Sequence, residues 1–204
     1  MIASHDSYTY QKPKNILLNL ISIFWRCQKK DINEQYELGV RVFDVRVYRN
    51  KDNKWGTAHG IIHFNKSFNS LIDICKYFKD NFEKSTIRIY LEDNVNNDHQ
   101  LRDLFLQESD EAFSKYEDMI WEIGTHFPWV TYYRNNNFKP EIREYYCKLF
   151  NWDTNQSIKY NLKNMNWSSW CLPLYSKKHN PIITKEMIID SNIIYFIDYI
   201  GIYP

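Results

Sequence analysis

The residues in this 204-residue chain suited to proton-transfer chemistry fall into a few short clusters. His5-Asp6 stands near the start, Asp44 and Arg46 lie two residues apart, His59-Gly60 follows, and Glu92-Asp93 and Asp198 come later. An imidazole titrates near neutrality and serves as acid or base. A guanidinium braces an anionic group. Asp44 and Arg46 belong to Gly39-Val40-Arg41-Val42-Phe43-Asp44-Val45-Arg46-Val47. Its β-branched and aromatic residues, ending at the turn-like Asn50-Lys51-Asp52-Asn53, predict a buried strand. Alternation puts Val42, Asp44 and Arg46 on one face and Phe43, Val45 and Val47 on the other. Charges are buried only when paired or working. The stretch alone therefore reads equally as a salt-bridged strand end or as part of a site, and the flanking histidines favour the site.

Other elements must bring these clusters together. Ile2-Ala3-Ser4 reads as a very short strand delivering His5, Asp6 and Ser7 at its C-terminal end. Asn15 to Cys27 has apolar residues at helical spacing, read as a packing face or, through Phe24 and Trp25, as a membrane-surface contact. Asp31 to Leu38 is expected to be a short helix opened by Asp31 with Glu34 three residues on, and Gly39 ends it. A second extended stretch carries His59-Gly60-Ile61-Ile62-His63. Ser67 to Phe82 has the spacing of an amphipathic helix. Thr86 to Glu92 is a predicted strand with Ile87, Ile89 and Leu91 opposite Arg88, Tyr90 and Glu92. Asp98 to Gly124 is expected to be helical with a break near Ser109. Trp129 to Arg134 and Glu144 to Phe150 are strand candidates, Asn151 to Pro181 a loop, Thr184 to Asp190 a short helix and Ile193 to Asp198 a closing strand.

No repeat or linker interrupts this order, so residues 1–204 are expected to form one domain. Strands alternating with helices predict a parallel α/β sheet. Polar groups at the C-terminal ends of strands are how α/β barrels build their sites. A full barrel takes ~250 residues, so the expected fold is a compact, distorted or trimmed TIM (β/α) barrel.

The 26 basic and 25 acidic residues nearly cancel, which argues against a bulk field for nucleic acid or an anionic membrane. Cys27, Cys75, Cys147 and Cys171 are widely spaced, suggesting buried thiols rather than a zinc site or a dense disulfide framework. The first residues lack the charged and apolar regions of a signal peptide, and the apolar stretch up to Trp25 is too short to cross a bilayer. These features lead to the expectation of a cytoplasmic protein.

His5-Asp6-Ser7, Tyr36-Glu37-Leu38-Gly39-Val40-Arg41-Val42-Phe43-Asp44-Val45-Arg46, His59-Gly60 and Phe196-Ile197-Asp198-Tyr199-Ile200 resemble, in order and spacing, the bacterial phosphatidylinositol-specific phospholipase C family. The resemblance implies that family's X-domain barrel. It implies His5 as general base backed by Asp198, and His59 as general acid backed by Asp6. Arg46 would brace the phosphoryl charge and Asp44 would orient Arg46. Such a set suits cleavage of a phosphodiester through an internal hydroxyl, which needs a base, an acid and positive charge on the phosphoryl oxygens. Metal-using relatives resemble the same barrel but carry a carboxylate where Arg46 stands. The resemblance thus implies a site without metal or cofactor.

Glu92 departs from the pattern, because the bacterial enzymes tend to have Lys there. It is read as a partner of Arg46, as a contact for an inositol ring, or as a weak Ca²⁺ ligand with Asp44. Lys148 and Arg134 are further candidates for phosphate or ring-hydroxyl contact, with surface charge as the bland reading. His63 is read as packing or surface, and His99, His126 and His179 as solvent-facing. Aromatic residues of 152–175 fit either a membrane-touching rim or loop packing. The expected activity is cleavage of phosphatidylinositol-like lipids to a cyclic inositol phosphate and diacylglycerol at a transiently contacted membrane surface. The alternatives are a metal-dependent enzyme for glycerophosphodiesters or lysophospholipids, and a non-catalytic binder of inositol phosphates or lipid head groups.

Overall fold

The computed structural model describes residues 1–15, 17–18, 26–96, 98–145, 176–177, 180–190 and 192–201. Strand β1 (Ile2–Ser4) and strand β2 (Val40–Arg49) pair in parallel, with helix α1 (Ile32–Glu37) between them in sequence. Asp31 caps α1 in a reciprocal box with Glu34, and Gly39 leaves it at φ 93, in the left-handed region that glycine tolerates. Strands β3 (Trp55–His59) and β4 (Ile62–Phe68) form an antiparallel hairpin whose first strand lies against β2. His59 therefore sits at a hairpin tip, turned by Gly60 at φ 56, and not within one extended stretch.

Helix α2 (Leu71–Asn81) starts at the Ser70 cap, because Ser67 and Phe68 belong to β4. Strand β5 (Thr86–Asn94) follows, then helix α3 (His99–Tyr116), which is continuous through the buried Ser109. The helical expectation for 98–124 fails beyond Tyr116. A turn over 117–119 leads into strand β6 (Ile120–Phe127), which pairs in parallel with β5. Strand β7 (Val130–Arg134) folds back on β6. Strand β8 (Glu141–Tyr145) starts earlier than expected, and 146–150 lie outside the described residues. Helix α4 (Lys185–Ile189) precedes strand β9 (Ile193–Ile197), which runs parallel to both β1 and β8.

The sheet path is β7-β6-β5-β2-β1-β9-β8, with the β3–β4 hairpin branching from β2. Among the described residues this path does not close, and the fold is a curled, trimmed half-barrel. The helix-side face carries the main core, where Phe43, Val45, Val47, Ile87, Ile89 and Leu91 meet Leu71, Ile74, Phe78 and Phe105. The concave face is closed at its base by a small plug of Ala3, Val42, Trp121, Ile194 and Phe196. Above this plug the same strand faces turn polar.

Gly124 sits where β6 and β7 approach most closely. A Cβ there would meet the Val130 carbonyl oxygen at 2.1 Å and the Thr131 Cα at 3.0 Å. Both are backbone atoms, so the strands must part. Gly124→Ala is expected to cost about 1–3 kcal/mol by overpacking, read as a lower urea midpoint. An unchanged midpoint would show that β6 and β7 do not touch in this register.

Candidate active site

Register alone gathers the sequence clusters. Ser4 lies opposite Phe43 on one side and Ile197 on the other, which sets His5 beside Asp44 and Asp198. Asp44 pairs with Arg88 and Arg46 with Tyr90 across β2 and β5, and Arg88 with Glu122 across β5 and β6. Period-2 alternation would send Asp6 to the face opposite His5. Asp6 instead adopts φ 44, a left-handed turn that Asp tolerates, held by its amide donating to Asp44 Oδ2 at 3.2 Å. Both side chains thereby enter one cluster.

The cluster is buried and built on Arg46. Its Nε lies 2.6 Å from Asp6 Oδ1 and 3.2 Å from Asp44 Oδ2, its Nη1 donates to Glu92 Oε1 at 2.9 Å, and its Nη2 is 3.1 Å from His5 Nε2. His5 Nδ1 meets Asp198 Oδ1 at 2.8 Å. Asp6 Oδ2 lies 3.4 Å from His5 Nε2 and 3.3 Å from His59 Nε2. Both rings thus face one carboxylate oxygen. One layer below, Arg88 forks onto Asp44, Nε to Oδ1 at 3.0 Å and Nη2 to Oδ2 at 2.9 Å, above the Phe196 ring.

Burial and charge set the protonation states. Burial, aided by the Arg46 charge, pushes His5 well below the usual imidazole range, so the ring is neutral near pH 7. Burial likewise raises the Asp6 carboxyl, against Arg46 and His59. At Asp44 burial opposes ionisation, but Arg46 and Arg88 outweigh it and hold the carboxyl far below its ordinary value. At Glu92, Arg46 and His126 similarly overcome burial and bring the carboxyl to about 2.

Of the sequence candidates, His5, Asp6, Asp44, Arg46, His59, Glu92 and Asp198 come together. Lys148 lies outside the described residues, as do His179, the aromatics of 152–175, Cys147, Cys171 and most of the 15–27 segment. Arg134 pairs with Glu122 at 2.7 Å. His63 stacks on Tyr48, and His99 is exposed. His126 corrects the expectation of a solvent-facing ring. Its Nδ1 lies 2.8 Å from Glu92 Oε2, and that side chain is only 25% exposed.

His126 was hidden because β6 was read as helix. Read as a strand, Glu122, Gly124 and His126 alternate onto the site face. Arg88 was passed over because its partner comes from another strand. Between Asp44 and Glu92, where a Ca²⁺ reading would place the ion, the Arg46 guanidinium touches both carboxylates. Glu92 also accepts from the Gly60 amide at 3.1 Å.

A curled α/β half-barrel thus gathers two imidazoles and a guanidinium at one end of its sheet, groups suited to proton transfer beside an anionic group. Residues 3–113 match the model for the phosphatidylinositol-specific phospholipase C X domain, and the chain belongs to that family. Two curated 1-phosphatidylinositol phosphodiesterases of Staphylococcus aureus, from strains Newman and NCTC 8325 / PS 47, are each 27% identical over 115 residues. These are 55% of this chain but 34% and 32% of theirs. The matched stretch thus spans about a third of the length of those relatives. The solved phosphatidylinositol-specific phospholipase C from Listeria monocytogenes superposes with a TM-score of 0.57 at 16% identity, covering 98% of this chain and 87% of that one. A point mutant of the S. aureus enzyme gives 0.52 at 16% identity, with 98% and 85% covered. At such identities the likeness is one of fold.

A depressed His5 makes stability fall with acid. The unfolded chain takes up a proton at this imidazole near ~6.5, while the folded site resists it, so stability present above that pH is lost as pH drops. Glu92 and Asp44 add a second loss below about 4.5, their unfolded range. Urea unfolding from pH 7 to 5 should show this decline, and His5→Asn should flatten it. An equally steep decline in His5→Asn would place its origin elsewhere.

Proposed function

We propose that this domain is a phosphatidylinositol-specific phospholipase C-type phosphodiesterase that works without a metal ion. Residues 1–204 act as one catalytic unit. The observation that carries this reading is the placement of the His5 and His59 rings at 3.4 and 3.3 Å from one Asp6 oxygen, beside Arg46. Two rings so close can flank a single phosphorus.

His5 gives its Nδ1 proton to the bond with Asp198, so its Nε2 carries the lone pair that takes the proton from the inositol hydroxyl. The freed oxygen attacks phosphorus and forms a cyclic phosphate. His59, steadied through Nε2 by Asp6, protonates the departing diacylglycerol oxygen from its other nitrogen. Arg46 Nη2, the guanidinium edge beside His5, meets the phosphoryl oxygens. Asp44 and Arg88 hold Arg46 from below.

Metal independence is supported by the state of the acidic groups. Arg46 and Arg88 engage Asp44, while Arg46, His126 and the Gly60 amide engage Glu92. A hard cation there would have to displace a guanidinium bonded to both. Glu92 reaches a ring hydroxyl only by yielding one of these contacts. The substrate is a phosphatidylinositol-like lipid met transiently at a membrane surface in the cytoplasm, and Lys148 is assigned to its head group.

The test is ³¹P NMR of phosphatidylinositol vesicles with the protein in excess chelator. A cyclic inositol phosphate resonance is expected, and its rate should fall about 10²–10⁴-fold in His5→Ala and in His59→Ala. Turnover restored only by added Ca²⁺ would transfer the reading to a metal-dependent enzyme. Binding of vesicles without product would leave a head-group binder.

A further inference from the structure

One buried group at the site has no part in this chemistry. Cys27 is a reduced thiol that lies against the Asp6 carboxylate, its Sγ donating to Oδ2 at 3.6 Å. His5, Asp6 and Cys27 each present one ligand atom, all within 4.8 Å of one another and all buried. Asp6 Oδ2 lies 3.4 Å from His5 Nε2 and 3.6 Å from Cys27 Sγ. A tetrahedral Zn²⁺ with bonds of about 2.0–2.1 Å to nitrogen and oxygen and 2.3 Å to sulfur sets its ligand atoms about 3.3–3.6 Å apart. Both edges already have that size.

We propose that His5 Nε2, Asp6 Oδ2 and Cys27 Sγ form a three-residue binding site for a borderline-soft divalent cation of the Zn²⁺ type, its fourth position left to solvent, and that its occupancy shuts the site. Three features support this donor set beyond its spacing. The Nδ1 hydrogen bond from His5 to Asp198 leaves the lone pair on Nε2 and fixes the ring, which is the outer-shell arrangement that metal-bound histidines use. The surrounding layer holds four carboxylates (Asp6, Asp44, Glu92, Asp198) against two guanidiniums (Arg46, Arg88), so it favours added positive charge. Arg46 Nη2, now 3.1 Å from His5 Nε2, must rotate off it. The His59 side chain, 26% exposed, gives the ion its approach from solvent.

On binding, the Cys27 thiol loses its proton to solvent and the thiolate sulfur bonds the metal, with no change of oxidation state. Burial raises this thiol in the empty site, and the cation replaces the proton it holds. His5 would be claimed as a ligand, leaving no base, and Asp6 would no longer be free to steady His59. A soft site thus lies beside a pair of carboxylates occupied by a guanidinium, and the thiolate selects Zn²⁺ over Ca²⁺.

The test needs no turnover, so its failure and that of the phospholipase reading are separable. Titration of the chelator-treated protein with Co²⁺ alone should give one equivalent of four-coordinate cobalt with a thiolate charge-transfer band. Zn²⁺ alone should displace it. Cys27→Ser should remove the band and weaken Zn²⁺ binding at least about tenfold. If that variant does not fold by circular dichroism, the Cys75→Ala/Cys147→Ser/Cys171→Ser variant should keep the band on its one remaining thiol. A band unchanged in Cys27→Ser, absent from the wild type, or lost in the triple variant would overturn the site. In vesicle assays Zn²⁺ should abolish product release reversibly, and retained turnover at saturating Zn²⁺ would refute the inhibitory role.

Discussion

The constraint on which the structure turns is the burial of one guanidinium. Arg46 is 6% exposed in the concave face of a sheet, and a charge in that position survives only if its surroundings answer it. Asp6, Asp44 and Glu92 do so from β2, β5 and the turn after β1. The loss of any one would leave the others buried without their counter-charge, which is costlier than losing an exposed pair. The site is therefore a cooperative unit. Its three-strand register, the left-handed turn at Asp6 and the hairpin tip at Gly60 are all held to the same few ångströms by the demands of one side chain.

Among the described residues, that unit is supported from below and on two sides. The plug of Ala3, Val42, Trp121, Ile194 and Phe196 supplies the floor, with Arg88 laid across it to hold Asp44. The adjacent strands β9, β1, β2, β5 and β6 supply Asp198, His5, Arg46, Glu92 and His126 in lateral sequence. This row needs no closing strand opposite it. The main core lies behind the row, on the helix side, where Phe43 and Phe78 rings meet at 5.0 Å. Packing energy and site electrostatics thus occupy opposite faces of the same strands.

The parts legible in the sequence were those with a short-range signal. Strand β2 showed its alternation, α1 its capping box, and β1 and β9 their terminal polar residues. These bring His5, Asp44, Arg46 and Asp198 into view. The parts that were not legible depend on register between distant strands. Arg88 is an ordinary strand arginine until Asp44 is set opposite it. His126 sits on a strand whose inward positions are Glu122 and Gly124, so β6 lacks the hydrophobic alternation that marks a half-buried strand and merges with the helix before it. Cys27 meets Asp6 because the turn after β1 holds it there, Thr9 Oγ1 accepting from the Cys27 amide at 3.0 Å.

Glu92 shows how a single replacement redistributes charge in such a layer. A lysine at this place would add a second cation beside Arg46, whereas Glu92 pairs with Arg46. The chain answers with the largely buried imidazole of His126, whose Nδ1 lies 2.8 Å from Glu92 Oε2. The remaining guanidinium nitrogen, Nη2, lies 3.1 Å from His5 Nε2. With His5 held neutral by burial, the site carries more carboxylate than guanidinium charge, and a phosphodiester adds a further negative charge. That excess of carboxylate charge is what the proposed divalent cation beside Asp6 would offset, so the proposed metal sensitivity has its cause in the same layer that buries Arg46.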